Sequence, residues 1–123
     1  MTVSYTTILS SAEALLLPFR GSRRWVAFSQ IVRLEGIGNY TTCVFADGTR
    51  LLVALTIKRL NDRLPPGAFL RLHRKHLVNR GYVAANQPDE YWLRLTNGDR
   101  VAIARRRVEL VLRETKPGRL LVS

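Results

Sequence analysis

Apolar and polar positions along this chain alternate more often than they recur at helical spacing, which predicts a mainly β protein. Residues 14–19 (ALLLPF) and 25–34 (WVAFSQIVRL) are apolar or alternating, and Gly21, Ser22, Arg23 and Arg24 between them have turn composition. The two runs are expected to pair as a hairpin. GIGN at 36–39 marks another turn, and YTTCVFA at 40–46 is rich in β-branched and aromatic residues. Asp47-Gly48 is the strongest short hairpin signal, leading into RLLVAL at 50–55. Helical spacing appears at Ile57, Leu60 and Leu64, where Thr56 can cap a helix over IKRLNDRL that Pro65-Pro66-Gly67 ends.

The segment FLRLHRKHLVN carries four cationic or imidazole side chains in a row, at 73–76. A strand would send them to both faces and a helix would spread them round more than half its circumference, so a surface loop or short turn suits them best. GYVAA, then YWLRLTNGDRVAIA with a hairpin signal at Asn97-Gly98, then a short closing helix near RRRVELVLRE complete the expected elements. No repeat or low-complexity linker divides the chain. One domain is expected over 13–116, with short tails at 1–12 and 117–123.

Composition narrows the chemistry. A single cysteine, Cys43, excludes an internal disulfide framework, and two histidines cannot complete a structural metal site. No run approaches the roughly 18 apolar residues that a membrane span requires. A cytoplasmic protein without metal, cofactor or small-molecule substrate is expected. No spacing of His, Cys, Asp or Glu makes a catalytic constellation, so an enzyme is not expected.

The net charge of +11 on 123 residues is clustered. Arg71, Arg74, Lys75 and Arg80 form one segment without acids and Arg100, Arg105, Arg106 and Arg107 another; together they hold +8 of the +11. Arginine, which predominates over lysine here, has a planar fork that matches phosphate oxygens and the edge of guanine. Nucleic acid is the partner such clusters suit. The aromatic residues Trp25, Phe28, Phe45, Phe69, Tyr82 and Trp92 fall within apolar patterns and are expected in the core, as is Cys43. Gly36, Gly38, Gly48 and Gly98 are expected to supply positive φ.

In order, LEGIGNY, DGT, LTIKRLNDRLPP, FLRLHRKHLVN and LTNGDRVAIARRRVELV resemble the LytTR DNA-binding domain of bacterial response regulators, over residues 14–115 or so. The most specific element is Phe69, Arg71, His73, Arg74, Val78 and Asn79, followed by Asn97-Gly98 and a basic start to the last helix. The resemblance implies an α+β fold of short antiparallel sheets with one packed helix and a short C-terminal helix, whose edge loops enter successive major grooves. It places Asn39, Tyr40 and Thr41 in one reading loop, Arg74 with Lys75 at the centre, and Arg105 as a second reader. Arg71, Lys75, Arg80, Arg106 and Arg107 are expected on phosphates, and His73 and Asn79 as braces of the loop.

Lys75 and His76 stand where the family usually has Ser and an aromatic, and Ala104 where it usually has Ser. Lys75 strengthens phosphate binding, while Ala104 removes a hydroxyl. The family's usual receiver domain is not found in these residues, so the switch is expected in a separate regulatory protein or in expression level. The expected function is sequence-specific binding of double-stranded DNA as a transcription regulator, by a dimer or cooperative pair on repeated sites. The competing readings are a β domain that binds RNA or single strands, and an interaction module that antagonises a larger LytTR regulator.

Overall fold

The structure, a computed structural model, describes residues 13–85, 87 and 91–115. The expected tails at 1–12 and 117–123 lie outside these. The first apolar run forms β1 (Ala14–Phe19), paired antiparallel with β2 (Ser22–Ala27). Their turn is Arg20-Gly21, so Ser22, Arg23 and Arg24, expected in a turn, lie in a strand. Gly21 permits this tight reversal with a φ of +80°.

The second run is not one strand. A 3-10 turn at Phe28–Gln30 breaks it, and the chain passes from the two-stranded sheet into a five-stranded one. That sheet contains β3 (Ile31–Ile37), β4 (Tyr40–Phe45), β5 (Arg50–Val53), β6 (Phe69–His73) and β7 (His76–Asn79), in the order β5-β4-β3-β7-β6. Every neighbouring pair is antiparallel. Helix α1 (Ile57–Asn61) begins where Thr56 Oγ1 accepts from Arg59 N at 3.3 Å. It is shorter than expected, because Arg63 N and Leu64 N turn to acceptors three residues back, Leu60 O and Asn61 O. Leu64 is buried all the same.

GYVAA contributes a 3-10 turn at Arg80–Tyr82 and a single bridge, Val83 to Leu95. Strands β8 (Trp92–Arg94) and β9 (Arg100–Ala102) form the last hairpin. A 3-10 turn at Arg105–Arg107 then leads into α2 (Val108–Thr115).

The five-stranded sheet is the middle of three layers. One face carries Leu34, Cys43, Val53 and Leu77 against β1 and α1, through Leu15, Leu17, Ile57 and Leu60. The other carries Val32, Leu70, Leu72 and Val78 against the β8–β9 hairpin and α2, through Leu93, Val101, Ile103 and Val111. Each such aliphatic side chain, fully buried, is worth about 1.5–3 kcal/mol relative to exposure. Cys43 lies within the first cluster, where burial pushes its thiol up to about 12; it is a packing residue.

Two aromatic residues depart from expectation. Trp25 is 43% exposed and Trp92 42% exposed. Both lie on hairpins of the outer layers, where only one face of the hairpin meets the core. Trp25 sits opposite Leu16, itself only half-buried, and Arg100 lies over the Trp92 ring, 5.2 Å from its centroid.

Candidate nucleic-acid interface

Three turns, distant in sequence, are joined through the backbone. Gly38-Asn39 reverses the chain between β3 and β4, with Gly38 at φ +60° as the first central residue, the position that a type II′ turn reserves for glycine. Arg74-Lys75 makes an equally tight reversal between β6 and β7, closed by the His73–His76 pair. The third is the 3-10 turn at Arg105–Arg107.

Gly36 N donates to Lys75 O at 2.9 Å, tying the first hairpin to the second turn. Gly36 is extended, contrary to the positive φ expected of it. Its value is the missing side chain: a Cβ there would lie 3.3 Å from Ile57 Cδ1 and 3.7 Å from Lys75 Cα. Ala104 N donates to Leu72 O at 2.8 Å and fixes the third turn beside β6. Shallow hollows mark the two junctions. One lies among Gly36, Gly38, Lys58, Arg71, Arg74 and Lys75, and the other among Arg71, His73, Arg74, Ala104, Arg106 and Arg107. Two larger hollows flank Trp25 and share no residue with these.

The side chains divide into those that build the turns and those that project from them. Arg71 builds: its Nε donates to His73 O at 2.8 Å and its Nη2 to Arg74 O at 2.7 Å. Burial, and then the charge of Arg107, hold its guanidinium below the usual arginine range. His73 Nδ1 accepts from Lys75 N at 3.1 Å within the same turn. Asn79 Nδ2 donates to Phe28 O and Ile31 O, and its Oδ1 accepts from Gly81 N. Asn79 thus ties the far end of β7 to the chain entering β3.

Asn39, Tyr40, Arg74, Lys75, Arg105 and Arg106 are exposed and Arg107 is half-buried. None of the five cations makes an ion pair with another described residue.

Three expected contacts need correction. Arg71, expected on a phosphate, has its donors committed to His73 O and Arg74 O. Thr41 is fully buried and its Oγ1 donates to Leu55 O at 2.7 Å, because strand alternation turns it to the core face while Tyr40 turns outward. It cannot reach a base. Arg80 follows β7, at the end away from the Arg74-Lys75 turn. Its guanidinium donates to Gly67 O and Glu114 O and pairs with Glu114 Oε1 at 2.8 Å. The charge expected on a phosphate is spent on holding α2.

The family model of the LytTr DNA-binding domain matches residues 22–115. This chain belongs to the LytTR family. Among curated proteins, the LytTR chain is 40% identical over 57 residues to the heme-containing CO-sensing transcriptional regulator RcoM 2 of Paraburkholderia xenovorans strain LB400, covering 46% of this chain and 21% of that protein. It is 44% identical over 52 residues to RcoM 1 of the same strain, covering 42% and 19%. It therefore spans about a fifth of the length of these relatives. A LytTr DNA-binding domain from Bacillus cereus has the same fold, with a TM-score of 0.70 at 22% identity over 83% of this chain and 95% of that one. The chain holds a DNA-binding domain of the kind found in transcription regulators, mainly β, with two α-helices and antiparallel sheets among the described residues. Among the described residues no helix is long and apolar enough to cross a membrane.

The LytTR match begins at Ser22, yet Leu15 and Leu17 of β1 are buried in the same core as the rest. Two further residues of the site escaped the sequence reading. Lys58, exposed in the first turn of α1, lines the hollow with Arg74 and Lys75. Nothing local marks it, since its position depends on Ile57 packing against Gly36. Arg33 is buried on β3 and pairs with Asp99 and Glu35, each at 2.8 Å, fastening the β8–β9 turn to the central sheet. Charge alternation within β3 was the available signal, but its partner lies 66 residues away.

Proposed function

We propose that this LytTR domain binds double-stranded DNA sequence-specifically and acts in transcription regulation. Its three joined turns would face one side of a duplex and enter successive major grooves. The observation that carries the reading is the union of those turns by Gly36–Lys75 and Ala104–Leu72 hydrogen bonds, with Lys58, Arg74, Lys75, Arg105 and Arg106 left without ion-pair partners among the described residues. Cations on a rigid frame lose little freedom on meeting phosphates, and a fixed guanidinium can hold a guanine edge in register.

Asn39 and Tyr40 serve as one reading turn, Arg74 as the central contact and Arg105 as the other reader. Lys58, Lys75, Arg106 and Arg107 lie against phosphates, which position the domain without choosing sequence. A single module of this size gives limited discrimination, so two copies occupy repeated sites. The domain extends over 13–116. Duplex is favoured over single strands because Trp25, which could stack on free bases, shares no hollow with the basic turns.

Selection from a random duplex library, run beside a single-stranded RNA pool, tests this. A defined duplex motif, repeated at one-turn spacing, is expected. Enrichment of the single-stranded pool alone overturns the reading.

A further inference from the structure

Strand β2 has one bonded edge and one bare edge. Among the described residues it pairs with β1 alone, and no further backbone hydrogen bond reaches Ser22–Val26. A hollow of about 520 Å³ is bordered by Arg24, Trp25, Val26 and Ala27. Consecutive side chains of a strand alternate between its faces, so a space that meets all four lies along the edge. Phe19 and Phe45, whose rings stack 6.2 Å apart, give it an apolar lining, and Asp47 and Thr49 of the β4–β5 turn border it as well.

The same edge is basic. Residues 14–34 contain no carboxylate, and Arg20, Arg23 and Arg24 are exposed without an ion pair to another described residue. Arg24 is held over the Phe19 ring, 3.9 Å from its centroid. The bordering carboxylate, Asp47, already accepts from Thr49 N and Thr49 Oγ1. This surface is remote from the basic turns, because the β4–β5 turn and Gly38-Asn39 close opposite ends of β4.

We propose that the bare edge of β2 accepts an extended acidic segment of a partner protein, added as a further strand. Its backbone pairs with β2, its apolar side chains enter the hollow at Phe19 and Phe45, and its carboxylates meet Arg20, Arg23 and Arg24. Main-chain bonds supply affinity in this mode of recognition, and alternate side chains supply specificity. Charge complementarity and the unpaired edge together select the occupant. Duplex DNA matches the charge but brings neither a strand for the edge nor an apolar side chain for the hollow. A second copy of β2 would bring arginine against arginine, the arrangement by which charged edges repel their own kind. An acidic strand satisfies the edge, the hollow and the cations at once. The site does not depend on the duplex reading; where both hold, duplex and partner occupy opposite ends of the sheet.

The test titrates the isotope-labelled full chain with a short blocked peptide that alternates valine and glutamate, beside a valine–lysine counterpart, and follows backbone amide shifts by NMR. Shifts confined to Ser22–Ala27 and the Asp47–Thr49 turn are expected with the acidic peptide, and none with the basic one. N-methylation of the valines, or of the glutamates, blocks one edge of the peptide at a time, so one form is expected to lose binding and the other to keep it. Arg24→Glu, at an exposed position and checked for folding by a urea melt, should weaken the acidic peptide on the order of tenfold or more. Absence of shifts along β2, equal binding by the basic peptide, or retention by both N-methylated forms overturns the proposal. So do shifts at Gly38-Asn39 and Arg74-Lys75 in place of β2, which would make the peptide a mere phosphate mimic on the basic turns. Shifts along β2 produced by duplex or single-stranded RNA, or by raising the protein concentration without peptide, give the edge to nucleic acid or to a second copy and overturn it likewise. None of these outcomes bears on whether the basic turns bind duplex, which the selection experiment decides separately.

Discussion

Arg71 and Arg74 stand three apart in one hairpin, yet their guanidinium groups act oppositely. Arg71 spends its donors on the carbonyls of His73 and Arg74, whereas Arg74 projects without an ion pair among the described residues. Tyr40 and Thr41 split in the same way, one outward and one with its hydroxyl on Leu55 O. Residue type alone does not separate a builder from a reader. Energetics can. Thr41→Val removes a buried hydrogen bond without changing shape, and we expect a loss of about 1–2 kcal/mol in urea unfolding with affinity at the selected site unchanged. Arg74→Ala and Arg105→Ala should leave stability unchanged, cost roughly 1–3 kcal/mol of binding at that site and relax base preference there. Weaker binding by Thr41→Val at unchanged stability would reverse its assignment to the core.

Among the elements, those marked by strong local chemistry were legible in the sequence. Asp47-Gly48 and Asn97-Gly98 are turns with Gly48 at φ +90° and Gly98 at +96°, and Thr56 caps α1. The misreadings share a cause: a run that is continuous in hydrophobicity can still change sheets, as residues 25–34 do at Phe28–Gln30, because both sheets bury the same residue types. The β6–β7 hairpin carries a prediction of its own. His76 pairs across the strands with Glu35 and with His73, and its Nδ1 is buried without a hydrogen-bond partner. Burial holds this imidazole below its ordinary value. Glu35 opposes that, while His73, Arg33 and Lys75 reinforce it. A histidine depressed on folding contributes stability that is whole above its unfolded value, about 6.5, and is lost as pH falls toward the folded one. The wild type should therefore weaken from near neutrality downward, and His76→Phe should remove that part of the profile. Below about pH 4 both proteins should lose a second contribution. Arg33 holds the Glu35 carboxyl below its usual range, and Asp99 is likewise lowered: burial, the largest single effect, raises it, but the bonds from Arg33 and Asn97 and the charges of Arg33 and Arg50 together outweigh burial. Urea midpoints for the two proteins across this range decide the matter; parallel profiles down to pH 5 would remove His76 from it.

At the scale of the whole molecule, the two basic clusters were legible as composition, but their division of labour was not. Arg33 and Arg80 are consumed by ion pairs with Glu35, Asp99 and Glu114, and Arg71 is committed to backbone carbonyls. Lys58, isolated in sequence, joins the surface instead, because the packing of Ile57 beside Gly36 brings α1 to the turns. The fold thus redistributes +11 into a structural share and a share left for phosphates. Salt dependence separates the two. Each neutralised phosphate contributes about −0.9 to the slope of log affinity against log salt, so some six contacts give roughly a 10³-fold loss between 50 and 200 mM. Lys58→Ala should reduce the slope by about one. Arg80→Ala should leave it unchanged while lowering stability, because its charge is already met by Glu114. A shallower slope in Arg80→Ala with none in Lys58→Ala would mean that the phosphates run past α2, and the duplex would have to be turned onto a different face of the domain.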